Sequence, residues 1–349
     1  MTSQTGRIEY IDLAKGICIL LVVVFHLTEY YGYPCVFNNY GRVFRMPLYY
    51  FLSGVFFKTY GGFVEFVKRK TNKLLIPFVF WYIFSVSLSI ILFLSLGWKI
   101  PRAHRFDPIH AMMQIFVYHE YPNLAIWFLL SLFEVNIIFY VVSIIANKCG
   151  RYKLWILAAL SLMCGGVGCY LISTGLELPL FMHKTLYYMP HFCLGYFVFR
   201  HTNLLHANIS DKYAIVYAII GFVCFWAVAR FGLSLNDPNM RISSLRQLII
   251  AYPGACLGIF GILMISKAVK KVPVLSMYGR YSIMILVTHV LLICIFIMLT
   301  DQFHIPEKIS FIMCTIVLMT YGLVLIPFMR RFMPHVTAQK DVIKVKNVG

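Results

Sequence analysis

Apolar residues along this chain come in blocks long enough to cross a bilayer, separated by short polar runs. A spanning helix needs about 20 mostly apolar residues. Ten blocks approach that length, at roughly 11–31, 43–60, 74–96, 125–146, 154–172, 185–199, 213–230, 247–265, 281–299 and 309–329. The blocks 43–60 and 185–199 are short for a hydrocarbon core of ~30 Å and are expected to be irregular or packed inside; without them the count is eight. The pattern predicts an all-α fold, a polytopic membrane helix bundle over residues 1–332, followed by a short, loose, basic tail over 333–349. No internal repeat is visible.

The first block departs most from a plain membrane helix. It reads RIEYIDLAKGICILLVVVFHLTEYYGY and carries Asp12, Lys15, His26 and Glu29. An ionisable side chain facing lipid costs roughly 2.5–3.5 kcal/mol on insertion scales, so such residues usually face a protein interior or a cavity. Lys15 and His26 are eleven residues apart, which puts them on one helix face within roughly 20° and about 16 Å apart along the axis. Asp12 and Lys15 also fit a plain helix start, where Asp suits the dipole and Lys snorkels to headgroups. No headgroup explains a histidine as deep as His26, which makes it the leading candidate for chemistry. The block has no small-residue cleavage site and is read as a retained helix rather than a signal peptide.

Composition agrees with this class. Sixty per cent of residues are hydrophobic, 13% are charged and the mean hydropathy is +0.79, whereas soluble domains carry about 25% charged residues. The formal charge of +18 would suit a nucleic-acid partner if it were clustered on one face. Instead, 21 of the 31 Lys and Arg residues fall in alternate loops and the tail. By the positive-inside rule this predicts both termini in the cytoplasm and argues against a nucleic-acid role. None of the ten cysteines forms a CxxC pair, so neither a metal site nor a disulfide framework is expected.

Other polar positions add candidates. The loop FVEFVKRKTNKLLIPF holds Lys68, Arg69, Lys70 and Lys73, which reads either as a topology signal or as an anion site at the level of Lys15. Ser53 lies beside Gly54 in FRMPLYYFLSGVFF, where Pro47 and the Ser-Gly pair suggest a broken or closely packed helix. No G-x-S-x-G elbow surrounds Ser53. Glu134 lies deep in the fourth block and calls for a partner, such as a Lys or His on another helix. His191 follows Pro190 and reads as a packing or hydrogen-bonding histidine. His289 stands half-way through the ninth block, rotated away from Arg280. The two longest outer loops, 97–124 and 231–246, carry Arg102, His104, Arg105, His110, His119, Glu120 and the run NDPNMR.

These stretches together resemble the membrane acyltransferase-3 family. RIEYIDLAKGICILLVVVFH is similar to its opening motif, with a basic position at Lys15 and a histidine eleven residues on. MPLYYFLSG resembles the second-helix signature and KRKTNKLLIP the basic run before a proline. WFLLSLF, PHFCLGYFVF and YSIMILVTH resemble later, weaker signatures.

The resemblance implies a multi-pass protein of the bacterial cytoplasmic membrane, in the stand-alone form without an SGNH-type hydrolase domain. It implies transfer of an acyl group, commonly acetyl, from acyl-CoA as co-substrate to a hydroxyl of a cell-envelope glycan or lipid-linked acceptor. His26 falls on the family's essential histidine, expected to act as general base or transient acyl carrier. Glu29 and Glu134 are candidates to orient or polarise its imidazole. Lys15, Arg69 and Lys73 are the expected contacts to the acyl-CoA phosphates, although lysine at position 15, where the family usually has arginine, gives up bidentate geometry. Asp12, Ser53 and His289 are candidates to line the substrate path. The rival readings are a secondary transporter or flippase whose proton or substrate path is the polar stripe, and a sensor that binds without turnover.

Overall fold

A computed structural model describes residues 8–33, 35–98, 123–205, 209–232 and 244–345. Arg7, the polar loop residues from Arg102 to Glu120 and the run Asn236 to Arg241 lie outside the described residues. Helices account for almost all of what is described, and no strand occurs among these residues.

In chain order the helices are α1 (Glu9–Tyr30), α2 (Val36–Val55), α3 (Phe63–Lys70), α4 (Ile76–Leu96), α5 (Trp127–Asn147), α6 (Lys153–Thr174) and α7 (Met182–His201). They continue with α8 (Asp211–Gly232), α9 (Leu245–Val269), α10 (Pro273–Arg280), α11 (Ser282–Gln302), α12 (Glu307–Thr320) and α13 (Gly322–Phe332). A π-helical turn, Thr71–Leu75, joins α3 to α4. By length and composition, seven helical stretches among the described residues can cross a membrane, and α12–α13, bent by 49°, make an eighth. The remaining two blocks are α2 and α7, each a helix of 20 residues. The protein is a polytopic membrane helix bundle.

Helix α2 begins several residues before its apolar block, and the reason is polar pairing. The Asn38 amide donates to the Thr28 hydroxyl, and Arg42 pairs with Glu29 at 3.1 Å. These bonds satisfy the polar start of α2 against the end of α1, so the helix need not wait for apolar sequence. Despite Pro47, α2 runs unbroken to Val55.

Where lipid replaces water, packing rather than the hydrophobic effect joins helices, and small residues let backbones touch. Helices α2 and α7 use this reciprocally. A Cβ on Gly54 would overlap the Phe192 carbonyl, and one on Gly195 would overlap the Phe51 carbonyl. The same device joins α1 to α10, where Gly16 faces the Leu275 carbonyl and Gly279 faces the Asp12 carbonyl.

Helix α1 sits between two buried apolar clusters. Ile19, Val22, Val23 and Leu27 belong to one, together with residues of α5 and α11. Ile11, Ala14 and Cys18 belong to the other, with residues of α2, α8 and α9. Both faces of α1 are therefore covered by protein, which is the condition under which a membrane helix can keep polar side chains.

The C-terminal stretch is not loose. Asn72 accepts from the Val342 and Ile343 amides at 3.0 and 2.8 Å and donates to the Ile343 carbonyl at 2.8 Å. Trp81 Nε1 donates to the Val336 carbonyl, Lys73 Nζ donates to the Ala338 carbonyl, and Lys73 pairs with Asp341 at 3.0 Å. Composition alone suggested a free tail. The tail offers its own carbonyls, amides and the Asp341 carboxylate, and the side chains that hold them, Asn72, Lys73 and Trp81, come from the π-helical turn and α4.

Candidate active site

A cavity of about 420 Å³ opens between α1, α2, α5, α11 and the π-helical turn. Lys15, Ile19 and Val22 line it from α1, one residue per turn on the face that sequence spacing assigned to Lys15 and His26. Tyr49 and Ser53 line it from α2, Ser282 and Leu286 from α11, and Lys70 and Lys73 from the basic run. A smaller adjoining pocket of about 180 Å³ shares Ser53, Lys70 and Lys73 and adds Tyr60, Arg69 and Asp341. The larger volume lies in the range of small-molecule sites, ~300–1,000 Å³. Its cations gather at one end, and its walls are otherwise mostly apolar, with Tyr49, Ser53 and Ser282 as the polar exceptions.

At the other end, the cavity stops at Val22 and Leu286. His26 lies four residues beyond Val22, and His289 three beyond Leu286, about one helical turn in each case. Their rings meet, with centroids 5.2 Å apart and planes at 45°. Helices α1 and α11 thus carry two imidazoles to one point above the cavity floor. His289 is fully buried. Its Nδ1 lies 2.9 Å from the Ile285 carbonyl, so Nδ1 carries a proton and donates, which leaves Nε2 as the acceptor of the neutral ring. That Nε2 has no hydrogen-bond partner among the described residues.

The remaining candidates divide clearly. Lys15, Ser53, Arg69 and Lys73 converge on the two connected pockets. Lys15 lies over the Phe56 ring at 5.1 Å, and its carbonyl accepts from the Tyr49 hydroxyl at 3.2 Å. Arg69 is held by Glu65 at 3.3 Å and by the Tyr60 ring at 4.6 Å. Asp12 lines neither pocket; it lies on the half-turn of α1 whose backbone meets Gly279. Glu29 turns to Arg42.

Glu134 does not find the cationic partner its depth suggested. Its Oε2 accepts from the Thr185 hydroxyl at 2.6 Å, and Thr185 continues through Ser131 to Tyr50 in bonds of 2.7 and 2.6 Å. Hydroxyls on α2, α5 and α7 thus serve where a Lys or His was expected. His191 stacks on Tyr252 at 4.9 Å, a packing role.

Lys70, one of the four cations of the expected anion site, lines both pockets. Two contributors escaped sequence reading. Tyr49 was hidden in an aromatic run. Asp341 had no local signal at all, because its partner Lys73 lies on the other side of the chain in sequence.

The cationic mouth, the apolar barrel and the paired imidazoles fit a group-transfer site. The model of the acyltransferase-3 family, described as an acyltransferase domain, matches residues 8–328, nearly the whole chain. The chain belongs to this family. It is a multi-pass membrane acyltransferase. No curated protein and no solved structure matches it.

Proposed function

We propose that this acyltransferase moves an acyl group, acetyl in the simplest case, from cytosolic acyl-CoA to a hydroxyl of an extracytoplasmic glycan or lipid-linked acceptor. The observation that carries the reading is the cavity with lysines at its mouth and two imidazoles one turn past its floor. The basic loops that would face the cytoplasm by the positive-inside rule lie at the same end as Lys15 and Lys73.

Acyl-CoA is too charged to enter the bilayer whole. Its phosphates dock on Lys15, Arg69, Lys70 and Lys73, and its thin pantetheine arm occupies the apolar barrel. The thioester then stands beneath His26. Neutral His26 takes the proton of the acceptor hydroxyl as its oxygen attacks the thioester carbonyl; the carbon–sulfur bond breaks, and the departing CoA thiolate takes up the proton. His289, its tautomer fixed by Ile285, holds the neighbouring imidazole in place. Lys73 must exchange Asp341 for a phosphate when the donor binds.

The test uses purified protein in nanodiscs with radiolabelled acetyl-CoA and an envelope glycan extract. His26→Ala should lower transfer by about 10²- to 10⁴-fold, the usual share of a general base, while acetyl-CoA still binds. Undiminished transfer by that variant would remove His26 from the chemistry. The transport alternative gains nothing from the family match.

A further inference from the structure

Next to the imidazole pair the chain buries a charge that the reaction just described does not use. Arg45 of α2 is 5% exposed. Its guanidinium carbon lies 3.6 Å from the centre of the Phe25 ring, and Phe25 is the immediate neighbour of His26. Arg45 Nη1 is buried and has no hydrogen-bond partner among the described residues. The same ring attracts a second guanidinium, that of Arg42, at 5.0 Å.

Two arginines on one phenylalanine repel each other. The carboxylate within electrostatic reach of Arg45 is that of Glu29, and it is already paired with Arg42. Arginine does not shed its proton to escape burial. A buried charge without a counter-charge is strongly unfavourable, and a ring face offsets only a small part of that. The imbalance makes sense if an anion completes the site.

Burial deepens along α2 from Arg42 to Arg45. Arg42 and Glu29 stand at the rim with side chains 29% and 41% exposed. Arg45 lies inward of them, and His26 adjoins the ring that Arg45 covers. Tyr49, one turn along α2 from Arg45, already lines the donor cavity. The face of α2 that carries Arg42, Arg45 and Tyr49 therefore runs from the rim to the donor.

We propose that Arg45, gated by the Arg42–Glu29 pair, is an anion-binding subsite that selects an acceptor carrying a carboxylate or phosphate near the hydroxyl to be acylated. This rests on the acyltransfer reading for what the bound molecule is used for, but not for whether it binds. Arg45 supplies the buried fork that fits an oxyanion bidentately. Arg42 moves from Glu29 to the incoming anion, which keeps the rim closed to neutral saccharides. The acceptor class is thereby an acidic glycan: a uronate or a sugar phosphate.

The experiment is ligand-induced thermal stabilisation of the full chain in net-neutral nanodiscs. The probes are methyl β-D-glucuronide, glucose 1-phosphate and the uncharged methyl β-D-glucoside. Wild-type protein should be stabilised by one or both anionic sugars and not by the glucoside, and the stronger of the two identifies the anion. Arg45→Gln should weaken that binding by about tenfold or more, while its acetyl-CoA binding stays at the wild-type level. Arg45→Lys keeps the charge without the fork, should fall between the two, and carries the test if the glutamine variant does not fold. Equal stabilisation by all three sugars, no stabilisation by any, or an anion preference that survives in the Arg45 variants overturns the proposal. Failure of the acyltransfer reading would show instead as absent acetyl-CoA binding with anion binding intact.

Discussion

His26 and His289 show how little a single polar residue reveals about its partner. Each was conspicuous as a histidine deep in an apolar block, but nothing in the spacing of either helix joins them. The pairing arises because α1 and α11 run side by side and each places a ring one turn above the same cavity. If His289 holds His26 in place, His289→Phe should keep the ring volume, leave the KM for acetyl-CoA unchanged and lower kcat by up to about 100-fold. A rise in KM with kcat intact would instead assign His289 to donor binding. Glu134 is the contrasting case. Its depth announced a partner but not the kind, since a hydroxyl chain through Thr185, Ser131 and Tyr50 leaves no mark in a linear pattern. Glu134→Gln preserves an acceptor for Thr185, so it should disturb stability by less than Glu134→Ala, which strands that hydroxyl at a cost of about 1–3 kcal/mol. Thermal melts of the two variants compare them directly.

Among the helices, the apolar blocks were legible to within a few residues, because a bilayer demands length and low charge and little else. The exceptions were elements whose ends are set by partners. Helix α2 starts early because Asn38 and Arg42 bond to Thr28 and Glu29. The Ser53-Gly54 pair of α2 suggested close packing but could not name Gly195 of α7 as its counterpart. Their reciprocal contact predicts that Gly54→Ala or Gly195→Ala forces the two helices apart, with a loss of about 1–3 kcal/mol, measured as a lowered melting temperature in detergent. The tail was misread for a related reason: its own backbone is held by the side chains of Asn72, Lys73 and Trp81, distant partners that composition cannot register. Because Asp341 holds Lys73 through a half-exposed pair, Asp341→Asn should tighten acetyl-CoA binding only modestly, by about two- to fivefold. A binding isotherm with each protein tests it.

For the molecule as a whole, the polarity of the site is tied to the orientation of the bundle. Lysines gather at one end of the cavity, near the start of α1, and the Arg42–Glu29 pair lies at the far end of α1. If the basic loops are cytoplasmic, Cys149, which follows Lys148 in such a loop, should react with a membrane-impermeant maleimide only from the inside of oriented vesicles. Cys35, at the start of α2, should react only from the outside. The reversed pattern would invert donor and acceptor sides and remove the proposed mechanism. The membrane class could be read from the length of the apolar blocks and their low charge. The cavity could not, since its wall is assembled from five segments that are far apart in sequence.

The two jaws of that cavity differ mechanically. On one side α1 is in backbone contact with α10, at Gly16 and Gly279, with no side chains between that could repack to give slack. On the other, the π-helical turn and the folded-back tail meet through a handful of hydrogen bonds centred on Asn72. A donor that needs more room can only obtain it by displacing the second jaw. Amide exchange at Val342 and Ile343 should therefore quicken when acetyl-CoA binds, while the amides of α1 around Gly16 stay as slow as before. The first helix would then act as the anvil of the reaction, fixed so that the short C-terminal strap can be the part that yields.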